Sequence, residues 1–229
     1  IHKQKGKLKE KTLDKLISIL NPIFKEAIAN RICVYNPCDN IKIKVPKNKK
    51  IILNARDQLK KLIEAVEEVY KNDDFFYCLF MFYIQGRRKS EVLKLQWRNI
   101  DIKNGFYVIE DTKNGENQKF ILLENIKERL LKIIRLNKYV FPSNKKENSH
   151  IVNIKHAVKK IREYDIELVN FTLKDTRNII TSAMGESGES AIYQSGTLGH
   201  KSLKTIDKYS TLNYESGSKK ANKIIEEMS

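Results

Sequence analysis

The segment Leu198-Gly199-His200-Lys201-Ser202-Leu203-Lys204-Thr205-Ile206-Asp207-Lys208-Tyr209 sets an imidazole nine residues ahead of a phenol. A phenol has an intrinsic pKa of about 10, so it attacks at neutral pH only if a neighbour accepts or shares its proton. Two other stretches carry guanidinium groups: Gly86-Arg87-Arg88-Lys89-Ser90-Glu91, followed by Leu95-Gln96-Trp97, and Lys174-Asp175-Thr176-Arg177. A phosphodiester under attack spreads charge over its non-bridging oxygens, and planar guanidinium donors grip two such oxygens at once. Thr112-Lys113-Asn114-Gly115 adds an amine beside a turn. Taken singly, each residue has an ordinary reading. Tyr209 is a half-buried aromatic, His200 a cap or core histidine, and Arg88 an ion-pair partner of Glu91 worth under about 1 kcal/mol. Lys113 is a solvated hairpin lysine, with Lys119 as the alternative amine.

The order of these motifs over the 122 residues from Arg88 to Tyr209 is far more specific than any one of them. In that order the chain resembles the tyrosine recombinase (phage integrase) family, from about Leu8 to its end. The Leu-Gly-His segment with Tyr209 matches the family's C-terminal signature. Gly86 to Glu91 with Leu95 and Trp97 matches its first arginine motif, Gly-x-Arg-x-x-Glu, in a register that selects Arg88 rather than Arg87. Lys113 matches the turn lysine. Lys174 to Arg177 matches His-x-x-Arg, with Lys174 where histidine is commoner.

The resemblance implies site-specific breakage and rejoining of double-stranded DNA through a 3′-phosphotyrosine, with neither metal nor ATP. It makes Tyr209 the nucleophile, Arg88 and Arg177 the phosphate clamps, and Lys113 the acid for the leaving 5′-oxygen. His200 assists the phenol together with Lys174. Trp97 reads as core, and Glu91 as a brace for the arginine or its helix. A catalytically silent DNA-binding protein of the same fold and a type IB topoisomerase-like enzyme are the alternatives. Lys174 favours the former; the latter would relax supercoils without joining two defined sites.

These groups must be positioned by a mainly α fold with a small three-stranded antiparallel sheet. Apolar residues at Leu13, Leu16, Ile17, Leu20, Phe24, Ala27 and Ile28 give one helical face, with a kink or break expected at Pro22 and an end near Asn36-Pro37. The basic stretch Lys42 to Lys50 reads as a linker. Residues 1–46 are therefore expected to be the C-terminal part of a helical core-binding (DNA clamp) domain with its linker, and residues 47–229 the catalytic domain with a tail helix. Asn54 and Asp57 resemble a capping arrangement. The nearly all-apolar run from Asp74 to Ile84 should be a buried helix. Asn104-Gly105 and Asn114-Gly115 each separate β-prone segments and predict hairpins between about residues 98 and 123. Helices follow at roughly 124–136, 150–163, 174–184, 189–196 and 203–209. Ala221, Ile224, Ile225 and Met228 form a final apolar stripe that needs a cover. The family commonly exchanges such a C-terminal helix between protomers, so a homo-tetramer on DNA is expected.

The formal net charge of +16, spread along the chain, favours a polyanionic partner. Three cysteines, Cys33, Cys38 and Cys78, form no CxxC pair and fit a reducing compartment. The longest apolar run is about half of a membrane span. A cytoplasmic bacterial protein, bound to the nucleoid when on DNA and serving a mobile genetic element, is the resulting expectation, with no cofactor and no membrane partner.

Overall fold

The structure, a computed structural model, describes residues 8–45, 52, 54–110 and 117–199. Contacts between Cα atoms divide the chain into two units, Ile1–Lys50 and Ile51–Ser229.

In the first unit, α1 spans Glu10–Ala29 and runs through Pro22 without a break. Proline returns no N–H to the carbonyl of Ser18, but both residues are exposed, so water can satisfy that carbonyl. The helix stops earlier than expected. Asn30 caps it, and Arg31 enters the left-handed region with φ 58°. The expected apolar face is also corrected: only Leu13 is buried, while Leu16, Leu20 and Ile28 are exposed. An apolar stripe becomes a core only when a second element lies against it. Among the described residues of this unit α1 has no helical partner.

The second unit contains α2 (Ala55–Val69), α3 (Asp74–Ile84), α4 (Lys89–Leu93), β1 (Ile100–Asp101), β2 (Phe106–Ile109), β3 (Gln118–Ile121), α5 (Glu124–Leu130), α6 (Lys155–Tyr164), α7 (Leu173–Glu186) and α8 (Ala191–Leu198). Helix α3 is its hub. The Asp73 carboxylate caps it by accepting the Phe76 N–H at 3.0 Å, and every residue from Tyr77 to Ile84 is buried. A helix apolar on all sides needs neighbours on all sides. Tyr70, the C-cap of α2, stacks on Phe80, and Phe82 meets both Tyr107 of β2 and Phe141 edge-on. The Tyr70 hydroxyl donates to the Ala157 carbonyl of α6 at 2.8 Å, which ties a third helix to the same core.

The sheet is antiparallel in the order β1-β2-β3. Asn104-Gly105 turns the chain between β1 and β2, with Gly105 at φ +70° and the Asp101 carboxylate accepting from the Asn104 backbone and side-chain amides. The second Asn-Gly pair lies outside the described residues. Pairing of Tyr107 with Phe120 and of Ile109 with Gln118 puts these four side chains on one face. Tyr107 and Ile109 are buried, so Gln118 and Phe120 share the core side of β3 and Lys119 faces away.

Helix α5 ends six residues before the expected 136, tightened by bonds from the Lys132 and Ile133 N–H groups to the third carbonyl back. His150 pairs with Pro142 in an isolated bridge instead of starting a helix, and α6 begins only at Lys155. Among the described residues no helix is long and apolar enough to cross a membrane.

The expected cap of α2 is corrected as well. Asn54 adopts a left-handed conformation and its side chain makes no cap bond. The first amides of α2, those of Ala55 and Arg56, donate instead to the two carboxylate oxygens of Glu186, at 2.7 and 3.0 Å. A carboxylate at a helix N-terminus satisfies orphan amides and complements the helix dipole. Replacement Glu186→Ala is expected to lower unfolding stability by about 1 kcal/mol, read from the urea midpoint, whereas Glu189→Ala should leave the midpoint unchanged. Equal effects would assign the loss to general charge rather than to the cap.

Candidate active site

Arg177 lies in the first turns of α7, whose start is fixed by Asp175: one carboxylate oxygen accepts both the N–H and the hydroxyl of Thr172 at 2.8 Å. The Arg177 guanidinium is buried, with 5% of the residue exposed. Its Nη1 donates to the Gly86 carbonyl at 2.5 Å and its Nη2 to the Leu198 carbonyl at 3.1 Å. Two of the sequence motifs, 91 residues apart, are thereby joined directly, and the segment leading into His200 is joined to both.

Gly86 permits the approach. Its φ is +86°, and a Cβ there would stand 3.0 Å from Leu198 Cδ2 and 3.5 Å from Ile180 Cγ2. Arg87 and Arg88, consecutive in sequence, separate sharply in space. Arg87 is 2% exposed, stacks 3.4 Å from the centroid of the Phe120 ring, and donates through Nη2 to the carbonyls of Gln85 and Thr197. Burial depresses the Arg87 pKa from its ordinary value, opposed by the nearby Tyr107 and Glu91, and the group remains a cation. Tyr107 is pushed up to about 12, chiefly by burial, so its neutral phenol donates to Gln85 Oε1 at 3.2 Å.

Arg88 is the N-cap of α4. Glu91 accepts its backbone N–H at 2.7 Å and its Nη1 at 2.6 Å, while 29% of the Arg88 side chain stays exposed. The ion pair with Glu91 is therefore real, and it braces both the arginine and its helix. Leu95 is buried and its carbonyl accepts from Val140; Trp97 packs against the core under the Arg135 guanidinium. Lys174 is exposed on the first turn of α7. Lys119, the alternative to Lys113, sits 3.6 Å above the Phe106 ring on the outward side of β3. Lys113, His200 and Tyr209 lie outside the described residues, as does the stripe from Ala221 to Met228.

The last turn of α8 completes the arrangement. Gly199 closes it at φ +63° and sends its N–H back to Gly196 and Ser195. The remaining C-terminal carbonyls are taken by side chains: Thr197 by Arg87, Leu198 by Arg177, and Gly199 by Gln118 Nε2 at 2.9 Å. Sequence reasoning missed both Arg87 and Gln118. No spacing rule marked them, and only the convergence of β3 and α8 gives them partners. Among the described residues no group of three His, Cys, Asp or Glu side chains is placed to hold a metal.

This gathering of two arginine motifs and the Leu-Gly segment before His200 on a helical core with a three-stranded sheet is the arrangement of a tyrosine recombinase catalytic domain. The phage integrase family model matches residues 54–216, and the chain belongs to that family. Among curated proteins it is similar to the ICEBs1 integrase of Bacillus subtilis (strain 168), at 25% identity over 92% of this chain; the chain covers 64% of that relative's length. Among solved structures it is similar to the Tn1549 transposon integrase in complex with transposon right end DNA, at TM-score 0.70 and 14% identity over 97% of this chain and 82% of the other. It is also similar to a lambda integrase dimer bound to a COC′ core site, at TM-score 0.64 and 16% identity over 88% and 76% of the two chains. XerA recombinase matches at TM-score 0.58 and 19% identity over 96% and 78%.

Two of the positive-φ glycines, Gly105 and Gly199, test how much the contact at Gly199 matters. A Cβ at Gly105 meets nothing within 4 Å, whereas one at Gly199 would overlap the Gln118 amide. Gly105→Ala is expected to cost about 1 kcal/mol of conformational strain, and Gly199→Ala about 1 kcal/mol more for the displaced hydrogen bond. Urea titrations of the two variants check the difference.

Proposed function

We propose that the protein is a site-specific DNA recombinase that cuts and reseals duplex DNA through a covalent link to Tyr209. The observation that carries this reading is the junction at Arg177, which brings the Gly86-Arg88 motif and the approach to His200 to one place. In the proposed reaction the Tyr209 oxygen attacks phosphorus and the bond to the 5′-oxygen breaks. His200, sharing the task with Lys174, takes up the phenolic proton, and Lys113 protonates the departing 5′-oxygen. The products are a 3′-phosphotyrosine and a free 5′-hydroxyl. Attack by a 5′-hydroxyl of the second duplex reverses the step and joins new partners. The phosphotyrosine conserves the energy of the broken ester, so resealing needs no ATP.

Arg88 and Arg177 neutralise the charge that develops on the non-bridging oxygens. The partial exposure of Arg88 suits a group that must reach phosphate. Lys119, held over Phe106 on the outward face of β3, is the alternative amine for this step. Double-stranded DNA as partner is supported by the net charge of +16 and by the DNA-bound structures of similar integrases. Residues 1–46 act as part of a DNA clamp, and the stripe Ala221, Ile224, Ile225 and Met228 docks on an adjacent protomer of a tetramer.

Incubation with supercoiled plasmid and with nicked duplexes is expected to give a protein–DNA adduct on denaturing gels. Tyr209→Phe should abolish it, and Arg88→Ala should slow it by about 10²- to 10³-fold, the effect typical of one preorganised donor to a developing oxyanion. An adduct that survives Tyr209→Phe would overturn the assignment. DNA retention without any adduct on the protein's own recombination site would favour the silent binder, and relaxation without joining of two sites the topoisomerase. Removal of the residues after Asn213 should impair recombination and assembly more than DNA binding; intact recombination would contradict the docking of the tail.

A further inference from the structure

Arg87 occupies the unspecified position of the first arginine motif, yet it is the most thoroughly enclosed arginine among the described residues. Withdrawing a guanidinium from water is costly, and an apolar side chain in the same place is often neutral or stabilising. Packing alone therefore does not account for a cation here. What an apolar residue cannot do is donate to a helix end, and Arg87 donates to the Thr197 carbonyl of α8.

Gln118 performs the matching task two carbonyls later, at Gly199. Both groups depend on β3. The Phe120 ring carries the Arg87 guanidinium, and Gln118 stands on the same face of that strand, two residues away. The cation at Thr197 also complements the negative end of the α8 dipole. With Arg177 on Leu198, three consecutive carbonyls are gripped from three directions, immediately ahead of His200.

We infer that Arg87 and Gln118 are positioning residues that fix the C-terminal end of α8 and thereby the placement of His200 for its part in cleavage. The inference rests on the reading of His200 as the group that assists the Tyr209 phenol. It also ties β3, which pairs with β2 and follows Lys113 in the sequence, to the end of α8.

The test uses the full chain and two variants, Gln118→Met, which keeps the side-chain length without the donor, and Arg87→Lys, which keeps the charge without the planar fork. Amide hydrogen exchange at Gly199 and His200 should quicken in both variants while α3 keeps its protection. On nicked duplexes each variant should form adduct about tenfold more slowly in a single turnover, with the Kd for DNA unchanged. In a His200→Ala background the same substitutions should cost less than about twofold, since their effect passes through that side chain.

Unchanged exchange at Gly199 and His200 would overturn the bracket. Quickened exchange with an equal loss of rate in both backgrounds would make Arg87 and Gln118 structural only, and would leave the role of His200 intact. If the native chain forms no adduct, or His200→Ala cleaves as fast as the native chain, the reading of His200 falls and the inference falls with it.

Discussion

The candidate active site depends on one buried guanidinium. Arg177 must be hydrogen-bonded because an unpaired cation at that depth would cost several kcal/mol, and the partners it takes are backbone carbonyls from two distant segments. That pairing sets the surrounding constraints. Gly86 must lack a side chain so that α8 can approach, and the α8 carbonyls must face inward. Asp175 and Thr172 must lock the first turn of α7 so that Arg177 arrives in register. A residue proposed to stabilise charge in the reaction is thus held rigid by the fold before DNA arrives. Preorganisation of this kind lets a donor act without reorganising at the moment of reaction.

The hub beneath this junction is apolar and aromatic. Helix α3 ends at Ile84, two residues before Gly86, so the packing of Phe80 and Phe82 against α2, β2 and the Phe141 segment sets where the first arginine motif begins. Arg88 then starts α4 with Glu91 as its brace, which aims it away from the core that encloses Arg87. Adjacent arginines acquire opposite duties because one precedes the helix and the other caps it.

Much of this was legible in the sequence where the cause is local. The nearly all-apolar run from Asp74 to Ile84 pointed to a buried helix, and Asn104-Gly105 named its own turn. The Gly-x-Arg-x-x-Glu pattern set Arg88 three residues before Glu91, the residue it pairs with in the structure. What stayed hidden depends on residues far apart in the chain. Glu186 caps α2 across 131 residues, Arg87 reaches Thr197 across 110, and Gln118 reaches Gly199 across 81. None of these residues has a type or spacing that announces its partner. The stripe on α1 failed in the opposite way: its period correctly gave a helix, but period alone does not supply a partner to bury the face.

The central claim is a covalent bond between one tyrosine and the 3′ end of a DNA strand. It is tested most directly by trapping the adduct, digesting both protein and DNA, and identifying the modified peptide by mass spectrometry. The other strand end is then labelled with polynucleotide kinase. The account predicts a nucleotide joined through its 3′-phosphate to the peptide containing Tyr209, and a 5′-hydroxyl that labels without prior phosphatase treatment. A nucleotide on another residue, or a linkage through a 5′-phosphate, would contradict it.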